Sequence, residues 1–182
     1  FTVNVSKSKS NKFIIISSFS TLTTEYRFID ANTNNSDLKL FSKRKRGLEY
    51  SINHYGNYFF IITNKDNCPN YKLMKTSIDK TQLKFWTTVI PHRDNVLIEG
   101  IDIFKKFLVI SERSNGLSKI NVRKWTNTEN YYIEFDSETY SIHTNTNIEY
   151  NTNLLRLNYS SFNQPNQVID FNMDTRKKNI LK

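Results

Sequence analysis

The 182 residues predict an all-β chain: a partial β-propeller of four consecutive four-stranded antiparallel blades. Three observations predict it. Short apolar runs open at Lys12, Tyr58, Lys106 and Leu154, with spacings of 46, 48 and 48 residues. A second run follows each, opening at Glu25, Tyr71, Ser118 and Gln167 with spacings of 46, 47 and 49, and alternates apolar and polar side chains with the period of a half-buried strand. No segment carries a helical period with caps.

Within each unit the elements follow in order. First strands are expected at Phe1–Val5, Tyr50–His54, Ile98–Phe104 and Tyr140–His143, just before the apolar runs. The runs themselves, such as Phe13-Ile14-Ile15-Ile16 and Phe59-Phe60-Ile61-Ile62, are continuously apolar, so these second strands should be buried on both faces between neighbouring blades. Polar turn residues, as in Thr63–Asn67 and Ser111–Gly116, join them to the alternating third strands as hairpins. Fourth strands at Leu38–Phe41, Trp86–Ile90, Tyr131–Phe135 and Lys178–Leu181 are more polar, as an edge meeting solvent should be. Four strands in about 45 residues is the repeat of a propeller blade. The blades are placed at residues 1–41, 48–90, 96–135 and 138–181 of one domain, 1–182. A two-sheet sandwich would also bury alternating strands, but the regular four-strand period argues against it.

Composition narrows the classes. The chain carries 26 Lys+Arg against 17 Asp+Glu, a formal net charge of +9, and its 13 Phe and 10 Tyr make it too aromatic for a disordered segment. Only 4 Gly and 3 Pro are present, and a single Cys excludes an internal disulfide framework and a Cys-based zinc site. Asn makes up roughly one residue in eight, which reads as source composition rather than chemistry. The apolar runs are about four residues long, far short of the roughly 20 of a membrane span, so no membrane partner is expected. The chain begins at Phe1 with no basic-then-apolar leader and reads as a soluble, cytoplasmic or periplasmic piece of something longer.

Several chemistries have no motif here. The closest glycines, Gly47 and Gly56, lie nine positions apart, so a G-x-S-x-G elbow, a P-loop and G-x-G-x-x-G are all excluded. His54, His92 and His143 form no H-E-x-x-H, and no cofactor or metal is expected. Cys68 reads as a bystander thiol on a hairpin turn. Lys43-Arg44-Lys45-Arg46 reads as a solvated connector; stacking aromatics are not interleaved with it, so no nucleic-acid partner is expected. Asn-x-Ser sequences at Asn4, Asn34 and Asn158 are expected by chance in so Asn-rich a chain. First strands line a propeller axis, which nominates Asn53, His54, Asp102, Ser141 and His143 as tunnel-facing groups; His54 and His143 occupy corresponding strand ends, where packing or hydrogen bonding is the plain alternative.

The stretches Glu49–Asn64 and Asn70–Met74, Val89–Glu99 with its Pro91-His92-Arg93-Asp94, and Phe107–Val109 with Glu112-Arg113 and Gly116-Leu117 resemble the propeller of oligopeptidase B, in the prolyl oligopeptidase family of serine peptidases. Ser20–Asp30 and Tyr159–Phe162 are similar to the same family, so the resemblance covers nearly the whole chain. It implies a seven-bladed propeller capping an α/β-hydrolase domain that cuts short peptides after Arg or Lys, with this chain as the last four blades. The hydrolase domain is then the same-chain partner, and Arg93 is a candidate domain-interface residue or loop anchor. Neither the Ser, Asp and His triad nor the acidic pocket of that domain has a counterpart here, so the chain alone is expected to be inactive. Four blades of seven would span roughly 200° and leave two unpaired blade faces. Lined by apolar second strands, these faces should drive self-association. The alternative function is a free-standing propeller scaffold for protein–protein interaction, although the WD and kelch signatures are missing.

Overall fold

The computed structural model describes residues 1–33, 37–127 and 129–182, so the Asn34 sequence lies outside the described residues. Among the described residues, sixteen strands form four sheets of four. The first sheet holds β1 (Thr2–Lys7), β2 (Phe13–Ser20), β3 (Thr23–Asp30) and β4 (Lys39–Leu40). In the second are β5 (Tyr50–Tyr55), β6 (Tyr58–Thr63), β7 (Lys72–Ser77) and β8 (Thr87–Ile90). The third contains β9 (Leu97–Ile103), β10 (Phe107–Ser114), β11 (Leu117–Lys124) and β12 (Asn130–Tyr132). The fourth is β13 (Tyr140–Thr144), β14 (Leu154–Ser161), β15 (Gln164–Asn172) and β16 (Lys178–Ile180). Strands pair with their sequence neighbours in chain order, and the pairing is antiparallel.

Local chemistry explains the register. Tyr55 faces Tyr58 across a two-residue Gly56–Asn57 turn with Gly56 at φ +58°, the positive φ that the first position of a type II′ hairpin demands. Asn115 (φ +51°) and Gly116 (φ +77°) make the Asn-Gly turn between β10 and β11, whose mirror-image twist matches the flanking strands. Several boundaries depart from expectation: the fourth strand expected at Tyr131–Phe135 ends at Tyr132, and two others have a clear local cause. Tyr71, expected to open a third strand, is a left-handed turn residue at φ +57°. Trp86 precedes β8, because the connector before it winds into a short 3-10 turn, Leu83–Phe85, and the indole Nε1–H donates to the carbonyl of Thr81 at 2.7 Å.

The chain divides into two compact units of two sheets each, Phe1–Asp94 and Asn95–Lys182. The core of the first unit joins Phe13, Ile15, Phe28 and Phe41 to Tyr50, Ile52, Phe59, Ile61, Met74 and Trp86. Phe59 is its hub, with ring centroids 5.2 Å from Phe13, 5.1 Å from Phe28 and 5.2 Å from Phe41. Tyr50 caps this cluster: its hydroxyl accepts from the backbone N–H of Tyr26 at 3.3 Å, and burial raises its pKa.

The core of the second unit joins Phe104, Phe107, Val109, Ile120 and Val122 to Ile142, Leu155, Leu157, Phe171 and Met173. Tyr131 pins its two sheets together by donating to the carbonyl of Met173 at 2.6 Å; burial pushes its phenol up to about 12. Beside it, Arg176 stacks over the Tyr131 ring at 4.1 Å and pairs with Glu129 at 3.0 Å, while Lys124 lies 3.5 Å from Glu129 and 3.7 Å from Asp174.

Burial of the second strands departs from expectation. β6 and most of β10 are buried on both faces, but β2 and β14 are buried on one. On β2, Phe13 and Ile15 face the core while Ile14 is 37% exposed. On β14, Leu155 and Leu157 face the core while Leu154, Arg156 and Asn158 are exposed. The outward face of the first sheet is mixed: Val3 and Val5 are exposed by 61% and 68%, Lys7 lies opposite Ile14, and Arg27 pairs with Glu25. The outward face of the fourth sheet is polar, crossed by a bidentate Arg156–Asp170 pair at 2.8 and 2.9 Å. Two apolar faces were expected; the face of the first sheet is mixed and that of the fourth is polar.

Candidate functional site

The nominated residues lie on β5, β9 and β13, each an end strand of its sheet that pairs with a single neighbour. Along β5, Tyr50, Ile52 and His54 are buried, and the residues between them, including Asn53, are half-buried. The alternation follows from the pleat, which sends successive side chains to opposite faces.

His54 lies on the core side. Its ring packs edge-on against Phe13 at 4.8 Å and Phe59 at 5.5 Å, and its Nδ1 is 2.7 Å from the Ser10 hydroxyl. Ser10 is in turn 3.0 Å from the Ser8 hydroxyl, which accepts the backbone N–H of Phe13 at 3.0 Å. Burial pushes the imidazole down to about 4, opposed by the Gly56 backbone and reinforced by Lys12. At neutral pH His54 is therefore an uncharged packing group in the first unit.

In the second unit, Asp102 is half-buried on β9, opposite Val109 of β10. Ser141 and His143 are exposed on one face of β13, on either side of the buried Ile142, and the Ser141 hydroxyl lies 3.0 Å from His143 Nε2. These two are the nominated residues that the fold brings together. The residue paired with His143 across the strand is Asn158, so this Ser–His pair has no carboxylate opposite it to orient the imidazole as a nucleophile's base requires. Among the described residues there is no cluster of three or more His, Cys, Asp or Glu able to hold a metal ion. Likewise, among them no helix is long and apolar enough to cross a membrane.

Arg93 sits in the β8–β9 connector, and Asn70 ties that connector down. The Asn70 amide donates to the carbonyls of Arg93 at 3.2 Å and Asp94 at 2.8 Å, and its backbone N–H donates to His92 Nε2 at 3.4 Å. Sequence reasoning missed Asn70, although it closes the turn-forming stretch Asn67-Cys68-Pro69-Asn70. It also missed the buried carboxylate of Glu112, 1% exposed, which accepts the Tyr132 hydroxyl at 2.7 Å. A Glu closing an apolar run was the available signal. In the basic connector Lys43, Lys45 and Arg46 are exposed and Arg44 is half-buried: its guanidinium donates to Thr23 Oγ1 at 2.7 Å and to the Ser18 carbonyl at 2.9 Å, and lies over the Phe1 ring at 4.9 Å. Cys68 is buried in the β6–β7 turn as a free thiol.

Residues 1–182 match the family described as "Prolyl oligopeptidase, N-terminal beta-propeller domain". The chain is 32% identical over 182 residues to dipeptidyl aminopeptidase BI of Pseudoxanthomonas mexicana, covering all of this chain and 25% of that protein. It is 29% identical over the same length to Protease 2 of Moraxella lacunata, covering 26% of it. Oligopeptidase B from Trypanosoma brucei, solved in a closed form with covalently bound antipain, is similar in structure with a TM-score of 0.92 at 28% identity, over all of this chain and 27% of that one. The chain thus spans about a quarter of the length of these relatives.

Proposed function

The chain belongs to the prolyl oligopeptidase family, as part of its N-terminal β-propeller domain, and from that premise we propose that it gates a serine oligopeptidase. In this reading it forms the last four of seven blades, joined in the parent protein to an α/β-hydrolase domain that cleaves short peptides after basic residues. It limits which peptides reach that domain. The observation that carries the reading is the match over the full 182 residues, at a TM-score of 0.92 to oligopeptidase B. Asn53, Asp102, Ser141 and His143 supply groups along the peptide's path. They hydrogen-bond without chemistry of their own, so the 182-residue chain by itself hydrolyses nothing. Arg93, on its anchored connector, faces the hydrolase domain.

The test uses the parent protein and two substrates ending in the same Arg amide, one a dipeptide and one a denatured protein fragment. Efficient cleavage of the first alone is expected, and removing residues 1–182 should admit the second or abolish folding. A full-length parent that cleaves both substrates equally well overturns the gating role. Turnover by the isolated chain would overturn its assignment as non-catalytic.

A further inference from the structure

We propose that a basic pocket in the first unit binds an acidic peptide segment. The pocket is a cavity of about 650 Å³ between the β4–β5 connector and the 3-10 turn before β8. Lys43 and Lys45 line one wall, Lys84 lines the other, and Leu40 and Leu83 supply apolar surface between them. None of the described residues lining it is a carboxylate. The Lys84 ammonium lies 4.9 Å from the Phe85 ring centroid.

The wall is held in place. Arg44, between the two lysines, spends its guanidinium on Ser18 and Thr23 of the β2–β3 hairpin. The Gly47 N–H donates to the Leu22 carbonyl at 2.9 Å, and the Leu48 N–H to the Lys45 carbonyl at 3.1 Å. Lys43 and Lys45 therefore project from a fixed backbone, which lowers the ordering cost of binding. Chemistry selects the occupant. Three ammonium groups around an aliphatic floor suit alternating carboxylates and apolar side chains. A nucleic acid would need an aromatic platform for its bases; among the lining residues the aromatic ring is Phe41, which is fully buried, and the neighbouring Phe85 ring is taken up by the ammonium groups of Lys80 and Lys84. The proposal is independent of the peptidase reading.

The experiment titrates the 182-residue chain, at low ionic strength, into a labelled peptide alternating Glu and Leu, read by fluorescence anisotropy. Replacing Lys43, Lys45 and Lys84 together with Glu should weaken binding roughly tenfold or more, while the same charge change at the exposed Lys7, Lys177 and Lys182 should change it less than about twofold. Circular dichroism checks the fold. If the Glu triple fails to fold, the corresponding Gln triple carries the comparison, with the same outcome expected. Equal weakening by both sets overturns the proposal, because binding then follows net charge. No binding overturns it, and so does competition by oligodeoxythymidylate or inorganic phosphate as effective as that of unlabelled peptide.

Discussion

At the residue scale, His54 carries the clearest pH dependence. The unfolded chain protonates it near 6.5 and the folded one near 4, so below 6.5 the unfolded state binds the extra proton. Stability is fully present above pH 6.5 and drains as pH falls through that window, by on the order of 3 kcal/mol in all. Urea midpoints followed by tryptophan fluorescence, with Trp125→Phe as background so that Trp86 is the reporter, should fall between neutral pH and pH 4, and His54→Phe should flatten that fall. An unchanged slope in the variant would assign the acid sensitivity to other groups. Arg44 makes a second prediction. Arg44→Ala removes charge-assisted bonds to Ser18 and Thr23 and should cost about 2 kcal/mol in the same assay, whereas Lys43→Ala should cost almost nothing. Sequence alone put four basic residues on a connector and could not single out Arg44, because its partners lie 21 and 26 positions away.

At the element scale, the second strands show what an apolar run does and does not specify. Burial on one face depends on the sheet's own core; burial on the other depends on what covers that sheet. Phe59→Ala, at the hub of the first core, should cost about 3–5 kcal/mol by loss of transfer energy and creation of a cavity. Ile14→Ala, on β2 of the first sheet and 37% exposed, should cost well under half of that in the same denaturation experiment. Comparable losses would mean that the outward face of β2 is covered in solution. The polar face of β14 was legible in one letter: Arg156 interrupts Leu154-Leu155-Arg156-Leu157, and the fold uses it on Asp170 of the adjacent strand. The candidate site was legible to a similar depth. The repeat placed Asn53, Asp102, Ser141 and His143 on end strands. The alternation within β5 that puts His54 on the core side is visible in sequence, but which parity faces the core is set by the neighbouring sheet.

At the scale of the whole molecule, the outward face of the first sheet bears on association. Val3, Val5 and Ile14 lie exposed on that face, with Lys7 opposite Ile14. The chain is expected to self-associate through it, with an apparent mass by light scattering that rises with concentration. Val3→Lys with Val5→Lys should abolish the rise. A wild-type chain that stays monomeric throughout, or a double variant that associates as before, would refute this route.

The sequence by itself determined the number, order and antiparallel pairing of the strands. Those follow from local physics: an apolar run, a turn that admits positive φ at Gly56 or Asn115-Gly116, and an alternating return strand a few residues on. It also carried the family resemblance, because those runs and turns are its motifs. Only the tertiary structure decided which histidine is buried, which arginine is a clamp, which outward face is polar and where three lysines line one cavity. Each of these depends on groups distant in sequence, as with Ser10 and His54, 44 positions apart, and such meetings are fixed by the packing of sheet on sheet rather than by any local pattern.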